Sequence, residues 1–395
     1  MRSIARVHVP DSTKLLLRIL ERPDLVAAVR EMPGAALGQL IDRIGLEDAA
    51  ELVALATTAQ LERIFDDDLW RADRAGGDET FRPERFALWL RVMLEAGDAV
   101  LVQRLCELPQ DLLALAVHRL VLVVDFDVVE EQLSFGDEEA QALEGALENS
   151  AVEEWEEFRL IAREPDAWDD VWNALLLLDR DHHDRLRAIL EQCCEMSTEY
   201  ISGQGGLFQV LTADEKLESD VVAAREDRRG AEGFISPADA RAFLELARRG
   251  EGGDARNPIT RAYFRALNVP AAEAEAAPTI ASPSAALAAL GAQEGLVHVA
   301  ARLFEQAMSD LRERDPARFA ARVREVAYLM NVWIAGGTHE GRRPRPMEAL
   351  EMVLQTCEAG MRTLLAVSPA TPEHALAVLL RTPADALFRR GFRSH

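Results

Sequence analysis

The sequence predicts an all-α protein in which short helices form a repeat-like, superhelical array, followed by a C-terminal helical block. Apolar residues make up 49% of the chain, whereas aromatic residues make up only 6%. Ala, Leu, Arg and Glu dominate the composition, and all four favour helices. Apolar side chains also recur at the i, i+3, i+4 and i+7 spacing of one helix face, within segments that end at Pro or Gly.

The N-terminal part divides into short amphipathic helices. "PDLVAAVREM" begins with Pro23 at a first-turn position and stops before "PG" at 33–34. "AALGQLIDRI" and "LEDAAELVALA" follow, and Thr57 and Thr58 are candidate N-caps for "AQLERIF". Helices of this length gain stability mainly by packing against neighbours, so we expect a stacked array.

Two other local patterns predict structure. In "ISPADARAF" (235–243), Ser236 is a candidate N-cap, Pro237 suits the first helical position, and Asp239 suits the positive end of the helix dipole. This pattern therefore predicts the start of a helix. "LVLVVDF" (120–126) is the one segment that the sequence suggests as a short extended piece.

The chain is too long for a single core, since one hydrophobic core stops growing at about 250–300 residues. We expect helical repeats over residues 1–128 and an acidic, helical middle region over 129–268. "VPAAEAEAAPTIASPSAA" (269–286) is rich in Ala and Pro without an apolar stripe, which is typical of a linker. A C-terminal helical domain is expected over 287–395.

Two resemblances support this fold. "IGLEDAAELVALATTAQLERIFD" (44–66) resembles the helical repeats in the cytoplasmic N-terminal domain of MgtE-type magnesium transporters; the likeness covers about residues 33–68. "TAQLERIFDDDLW", "RPERFALWL", "GFISPADARAFLELAR" and "EVAYLMNVWIAGG" together are similar to a bacterial all-helical family catalogued as a domain of unknown function. Both resemblances imply a common fold, and the second implies no chemistry.

Charge and composition limit the possible partners. The formal net charge is −24, which would repel the phosphate backbone of nucleic acids. Residues 120–158 hold thirteen Asp or Glu and no Lys or Arg, so they form either a solvated acidic face or a segment that binds a basic partner or cations. We expect a cytoplasmic protein without a transmembrane segment, because neither a signal-peptide core nor a long apolar run occurs. The four cysteines are expected to be reduced.

The segment "DRDHHDRLRAILEQCCEMSTEY" (179–200) gathers two histidines and two cysteines. It contains no Pro or Gly and has an apolar face, so we expect a single helix. On that helix His183 and Cys194 would lie about 16 Å apart. A zinc ion could not bridge that distance, and no metal site is predicted here.

Three carboxylates in "FDDDLW" (65–70) are the candidate metal ligands. Asp66, Asp67 and Asp68 could bind Mg²⁺ or Ca²⁺ from a loop at the end of a helix, with water completing the coordination shell. Acidic loops are common, and no complete calcium-binding loop follows. A solvated acidic turn therefore remains the simpler alternative.

The loop "GGTHEGRRPRP" (336–346) is the segment most typical of a binding site. Its candidate ligand-binding residues are His339, Glu340, Arg342, Arg343 and Arg345. The arginines could bind a phosphate, a carboxylate or an acidic protein segment. Residues 120–158 are an internal candidate for that acidic segment, so an intramolecular contact is an equal alternative.

These features favour a non-enzymatic, cytoplasmic helical scaffold or adaptor whose partner is another protein. No cofactor is indicated, and the oligomeric state stays open. The first alternative is a divalent-cation or small-ligand sensor that uses Asp66 to Asp68 and the carboxylates of 120–158. The second is an enzyme centred on the 336–346 loop.

Overall fold

The computed structural model describes residue 16 and residues 19–127, 150–202, 212–250, 257–267, 303–366 and 371–393. The chain forms two compact units. The first comprises Met1–Trp70 and Phe81–Arg225, and the second comprises Arg71–Thr80 and Glu226–His395. Sixteen α-helices and only five short strands occur in the described residues, which confirms the predicted all-α class.

Helices build most of the first unit. They are α1 (Leu25–Glu31), α2 (Gly34–Ile44), α3 (Ala50–Leu55), α4 (Thr58–Asp68), α5 (Pro83–Ala96), α6 (Asp98–Glu107), α7 (Gln110–Leu120) and α8 (Trp168–Ser202), with short 3-10 turns at Leu46–Asp48 and Pro165–Ala167. The apolar stripes predicted from the sequence face the core: Leu37, Ile41 and Ile44 of α2 are all buried. The next helix, α9 (Ala213–Ala231), begins in this unit.

The start of α4 shows how the short helices are held together. The Thr57 hydroxyl accepts from the Gln60 backbone N–H (3.3 Å), and the Gln60 side chain accepts from the Thr57 N–H (2.8 Å), which confirms Thr57 as the N-cap. The same Gln60 amide donates to the carbonyls of Val29 (2.7 Å) and Met32 (2.6 Å). One side chain therefore caps α4 and also satisfies carbonyls at the end of α1.

Two small sheets interrupt the helices. Strands β1 (Trp70–Ala72) and β2 (Glu79–Phe81) form one sheet, and β3 (Val121–Asp125), β4 (Val152–Trp155) and β5 (Phe158–Ala162) form an antiparallel sheet in the order β3-β5-β4. β3 confirms the extended piece predicted at 120–126. The β4–β5 hairpin was not predicted; its turn places Glu156 at φ 51°.

Helix α8 departs from the single straight helix expected over 179–199. It has non-helical backbone angles at His182, with φ −144° and ψ 52°. Buried Leu178 and buried Leu186 are eight residues apart, which would place them about 80° apart around a straight helix. We infer that the break lets both halves of α8 turn their apolar faces to the same core.

The second unit is the C-terminal helical block that the sequence predicts. It contains the end of α9, followed by α10 (Pro237–Arg249), α11 (Pro258–Ala266), α12 (Leu303–Arg314), α13 (Pro316–Gly336), α14 (Pro346–Leu365), α15 (Pro372–Arg381) and α16 (Ala384–Phe392). The Ser236 hydroxyl accepts from the Asp239 N–H (3.1 Å), which confirms Ser236 as the N-cap of α10. Phe243, Phe304, Tyr328 and Phe388 are buried in its core.

Several predictions concern residues outside this description. The predicted linker at 269–286, the expected domain boundaries near 128 and 268, and most of the acidic run within 120–158 lie outside the described residues. Of the helices that are described, none has the length and apolar character needed to cross a membrane.

Candidate functional site

The predicted binding loop at 336–346 is a tight turn in the second unit. The His339 N–H donates to the Arg342 carbonyl (2.8 Å), and the Arg342 N–H donates to the His339 carbonyl (3.0 Å). Glu340 and Gly341 between them have φ of 50° and 77°. Two successive left-handed residues are typical of a two-residue hairpin turn, and Gly341 adopts this conformation without the penalty of a Cβ.

Carboxylates of the same unit engage two of the loop's arginines. Arg342 forms a bidentate pair with Glu348, with nitrogen–oxygen distances of 2.6 and 2.7 Å. Arg343 donates to the Ile334 carbonyl (3.1 Å) and to Glu79 (3.3 Å). These bonds use donors that a bound anion would need, so in this conformation the arginines hold the loop in place.

Glu348 is the organising group of this loop, and the sequence did not single it out. Its carboxylate also accepts from the Arg345 backbone N–H (2.8 Å), one of the donors that a helix leaves unpaired at its start. The hydrogen bond from Arg342, with that from Arg345, lowers the pKa of Glu348 to about 2. Arg345 itself is exposed and His339 is half-buried. Ligand binding by His339, Glu340 and Arg345 remains a prediction.

The three candidate metal ligands lie in the last turn of α4 and have separate partners. Asp66 is buried, with 2% of its surface exposed. Asp67 pairs with Arg63 (2.8 Å), and Asp68 accepts from the indole N–H of Trp89 (2.6 Å). Over the described part of the chain, no group of three or more His, Cys, Asp or Glu side chains is placed to hold a metal ion. Metal binding by Asp66 to Asp68 remains a prediction.

A further carboxylate, Asp42 of α2, lies near this turn. Partial burial and the nearby charges of Asp68 and Asp67 raise the pKa of Asp42, while Arg85 opposes the shift. Arg85 also pairs with Asp68 at 2.7 Å. The approach of Asp42 depends on how α2 packs against α4, so the spacing of residues along the chain contains no sign of it.

The histidines and cysteines of α8 contact separate groups. His183 Nδ1 lies 2.8 Å from Asp179 Oδ1, and the imidazole ring lies 5.2 Å from the Trp155 ring, centroid to centroid. Cys193 is fully buried, and its thiol donates to the Ala114 carbonyl (3.4 Å). Burial raises the pKa of the Cys193 thiol, which keeps it protonated and unreactive.

A cleft of about 550 Å³ in the second unit was not predicted. The end of α9 and the first turns of α10 and α11 line it. Its apolar lining consists of Phe234, Ile235, Pro258, Ile259, Ala262 and Tyr263. Three carboxylates, Glu226, Asp227 and Asp239, stand at its exposed rim. This combination of an apolar floor with a few charged groups is typical of binding clefts.

Hydrogen bonds to the backbone fix the walls of the cleft. The Asn257 side chain accepts from the Ile259 N–H (2.8 Å), and so caps α11. The Tyr263 hydroxyl donates to the Gly233 carbonyl (2.6 Å), which also accepts from the amide of Asn331 on α13 (2.7 Å). Hydrogen bonds within the protein therefore tie α11 to the Gly233 turn and to α13 at this wall.

The one arginine of the cleft lining is already paired. Arg229 is buried and lies 3.1 Å from Glu79, which is itself largely buried. Its guanidinium carbon also lies 5.0 Å from the ring centre of Phe234. The lining holds three carboxylates and one arginine, so its net charge is negative.

A buried polar cluster lies beneath α11. Asp385 accepts from the Asn257 backbone N–H (2.9 Å), and Glu325 accepts from the Ala384 N–H at the start of α16 (2.7 Å). Arg322 pairs with Glu325 at 3.0 Å. Asp385 and Glu325 have no exposed surface, and burial raises the pKa of Asp385. These carboxylates satisfy backbone donors at helix starts, which makes their role in the described structure one of support.

The capping patterns at the cleft can be recognised in the sequence, but their proximity in the fold cannot. "ISPAD" and "NPIT" each read as a cap followed by Pro, which predicts the start of a helix and nothing more. Ser236 and Pro258 are brought to one cleft only by the tertiary fold of the second unit.

Comparison with known proteins places the chain in a family. A family model described as a family of unknown function, DUF6178, matches residues 4–394. No significant match occurs among curated proteins or among solved structures. The family match does not show the likeness of residues 33–68 to MgtE-type repeats. Because the match spans nearly the whole chain, including the cleft, this protein belongs to the family of unknown function DUF6178.

Proposed function

We propose that this protein is a non-enzymatic helical adaptor that binds a segment of a partner protein in the cleft of its second unit. The observation that carries the proposal is the cleft itself, with its apolar floor, its carboxylate rim and walls held by hydrogen bonds. Its volume of about 550 Å³ is within the usual range of ligand-binding clefts. A preformed cleft also lowers the entropic cost of binding.

Helical arrays commonly present such surfaces to other proteins. The alternative of an enzyme centred on 336–346 stays a prediction, and the pairing of Arg342 with Glu348 and of Arg343 with Glu79 gives it no support. A cytoplasmic location also remains a prediction.

The test uses two matched variants of the full chain. Ile259 lines the cleft and Met347 lies outside it with 59% of its surface exposed. Each is the second residue of a helix that begins with Pro, where a glutamate suits the helix dipole. We expect Ile259→Glu to lose a stoichiometric partner captured from native extract, and Met347→Glu to retain it.

A second cleft variant helps to distinguish loss of binding from loss of the fold. Ala262 is exposed, so Ala262→Trp should occupy the cleft without disturbing the core. Circular dichroism of each variant checks that the fold is intact. The adaptor proposal is wrong if both cleft variants retain the partner, or if the wild-type chain captures no stoichiometric partner at low salt.

A divalent-cation sensor that uses Asp66 to Asp68 stays a prediction, and over the described residues no group of three or more carboxylate, histidine or cysteine side chains is placed to bind an ion. The partial resemblance to MgtE-type repeats is compatible with this function. Mg²⁺ or Ca²⁺ bound at this place would raise the melting temperature, and Asp68→Asn should remove that rise. A melting temperature that does not change with millimolar amounts of either ion would exclude the sensor.

A further inference from the structure

We infer that the cleft accepts a cationic, amphipathic peptide segment, whose Arg or Lys side chains meet the rim carboxylates while an apolar side chain enters the floor. This inference rests on the proposed adaptor function and adds the chemistry of the partner. It depends on three features of the cleft: its net charge, its aromatic wall, and the capped N–H groups at the helix starts that line it.

The charge of the lining favours a cation. Glu226, Asp227 and Asp239 are exposed at the rim, whereas the single arginine, Arg229, is buried against Glu79. Three carboxylates against one arginine give the lining a net negative charge, which attracts a cationic side chain to the rim. Complementary charges of this kind raise the association rate and exclude anionic partners.

The wall of the cleft favours an apolar anchor. The Tyr263 ring is packed against Tyr328, 4.7 Å between centroids, and its hydroxyl is bonded to the Gly233 carbonyl. Phe234 and Ile259 are half-buried beside it. Because the Tyr263 ring is held by these contacts, an apolar side chain can displace water from it at little cost in conformational entropy.

The helix starts at the cleft do not reverse its preference for a cation over an anion. The starts of α10 and α11 carry positive partial charge and would attract an anion if their N–H groups were unbonded. The Ser236 hydroxyl already accepts from the Asp239 N–H, and the Asn257 amide accepts from the Ile259 N–H. The Asp239 carboxylate in the first turn of α10 further offsets the dipole. An acidic or phosphorylated segment is therefore disfavoured.

The binding test uses three short synthetic peptides labelled with a fluorophore. The first peptide places leucines on one face of a helix and arginines on the opposite face. The second replaces every arginine with glutamate, and the third keeps the arginines but replaces every leucine with serine. We expect the Arg/Leu peptide to bind the wild-type chain with an affinity that falls as salt rises. The other two should bind much more weakly.

A matched pair of variants separates the cleft from the general acidity of the protein. Asp227 lies near the end of α9 and Glu313 near the end of α12, and neither α12 nor Glu313 contributes to the cleft. Replacing either with Lys changes the net charge equally and places a cation in the C-terminal half of a helix. We expect Asp227→Lys to weaken binding of the Arg/Leu peptide about tenfold. Glu313→Lys should leave it unchanged, and an equal loss in both variants would overturn the inference.

A peptide-display selection on the full chain distinguishes failure of this inference from failure of the adaptor proposal. Selected peptides that compete with the Arg/Leu peptide and are rich in Arg or Lys support the inference. Selected peptides that are acidic or neutral, yet lose binding to Ile259→Glu, overturn the inference and leave the adaptor proposal standing. Selected peptides whose binding survives both Ile259→Glu and Ala262→Trp overturn the inference and the adaptor proposal together.

Discussion

Gly360 of α14 and Gly391 of α16 lie directly against each other, and this contact brings the two helices together. A Cβ on Gly391 would lie 2.7 Å from the backbone nitrogen of Gly360, and a Cβ on Gly360 would lie 2.9 Å from that of Gly391. The same added atoms would overlap the carbonyls of Thr356 and Leu387. Because the obstacles are backbone atoms, a side chain at either position requires a helix to move.

Replacing Gly360 with Ala should therefore destabilise the protein. We expect a loss of about 1–3 kcal/mol in the free energy of unfolding, since the site has no room for a methyl group. Gly230, near the end of α9, is the matched control because nothing lies within 4 Å of its virtual Cβ. Gly230→Ala should stabilise the protein by about 0.5–1 kcal/mol. Urea unfolding followed by circular dichroism measures both changes, and equal stabilities would contradict the close contact.

His118 should make the stability depend on pH. Burial lowers the pKa of His118 to about 4, Arg163 adds to the shift, and Asp214 at 3.7 Å opposes it. In the unfolded chain the His118 imidazole binds a proton near pH 6.5, whereas in the folded chain it does so only near pH 4. Stability should thus be complete above pH 6.5 and fall by about 3 kcal/mol as the pH drops to 4.

The His118→Gln variant tests this dependence. Its free energy of unfolding should fall less steeply than that of the wild type between pH 6.5 and 4, where the pKa of His118 differs between the folded and unfolded chains. NMR of the wild type should show the His118 imidazole still neutral at pH 6. Identical slopes in the two proteins would show that His118 is not the titrating group.

Glu348 should titrate far below an ordinary glutamate. Arg342 and the Arg345 N–H lower its pKa to about 2 from an ordinary value of 4.5. The folded state is thus favoured above pH 4.5, and this contribution is lost as the pH falls toward 2. In Arg342→Gln, the pKa of Glu348 should rise toward 4.5, as measured by NMR titration of its carboxyl carbon. A Glu348 carboxyl that titrates identically with and without Arg342 would refute the pairing.

The cysteines should differ in reactivity. Burial raises the pKa of both Cys193 and Cys357, and neither thiol has exposed surface. Cys106 and Cys194 are partly exposed. A bulky thiol reagent should therefore leave Cys193 and Cys357 unmodified in the native protein and label all four residues in denaturant. Mass spectrometry of the labelled peptides reads the result, and rapid native labelling of Cys193 would disagree with its burial.

Helix starts were predictable because a cap is a local interaction. Thr57 and Ser236 each bond to a backbone N–H three residues later, so a short stretch of sequence contains the whole motif. The strand β3 was predictable for a related reason, since a run of Val and Leu favours extended structure. The β4–β5 hairpin was missed because its acidic residues obscured the alternation of Phe158 and Leu160.

Two site predictions depended on partners that the sequence does not reveal. Arg343 lies against Glu79, 264 residues away in the chain, and Asp68 lies against Trp89. Residue type and spacing identified these side chains as charged and clustered. They could not show that Arg343 and Asp68 already have partners, because long-range pairing is decided by how the helices pack.

The sequence by itself determined the helical class, the positions of the caps and the acidic character, because propensity, capping and formal charge are properties of neighbouring residues. Only the tertiary structure decided that α8 bends at His182, that Arg342 and Arg343 are paired, and that the starts of α10 and α11 line one cleft. These features arise when apolar faces are buried against one another. That burial sets the angles and distances between helices, and with them which distant residues meet.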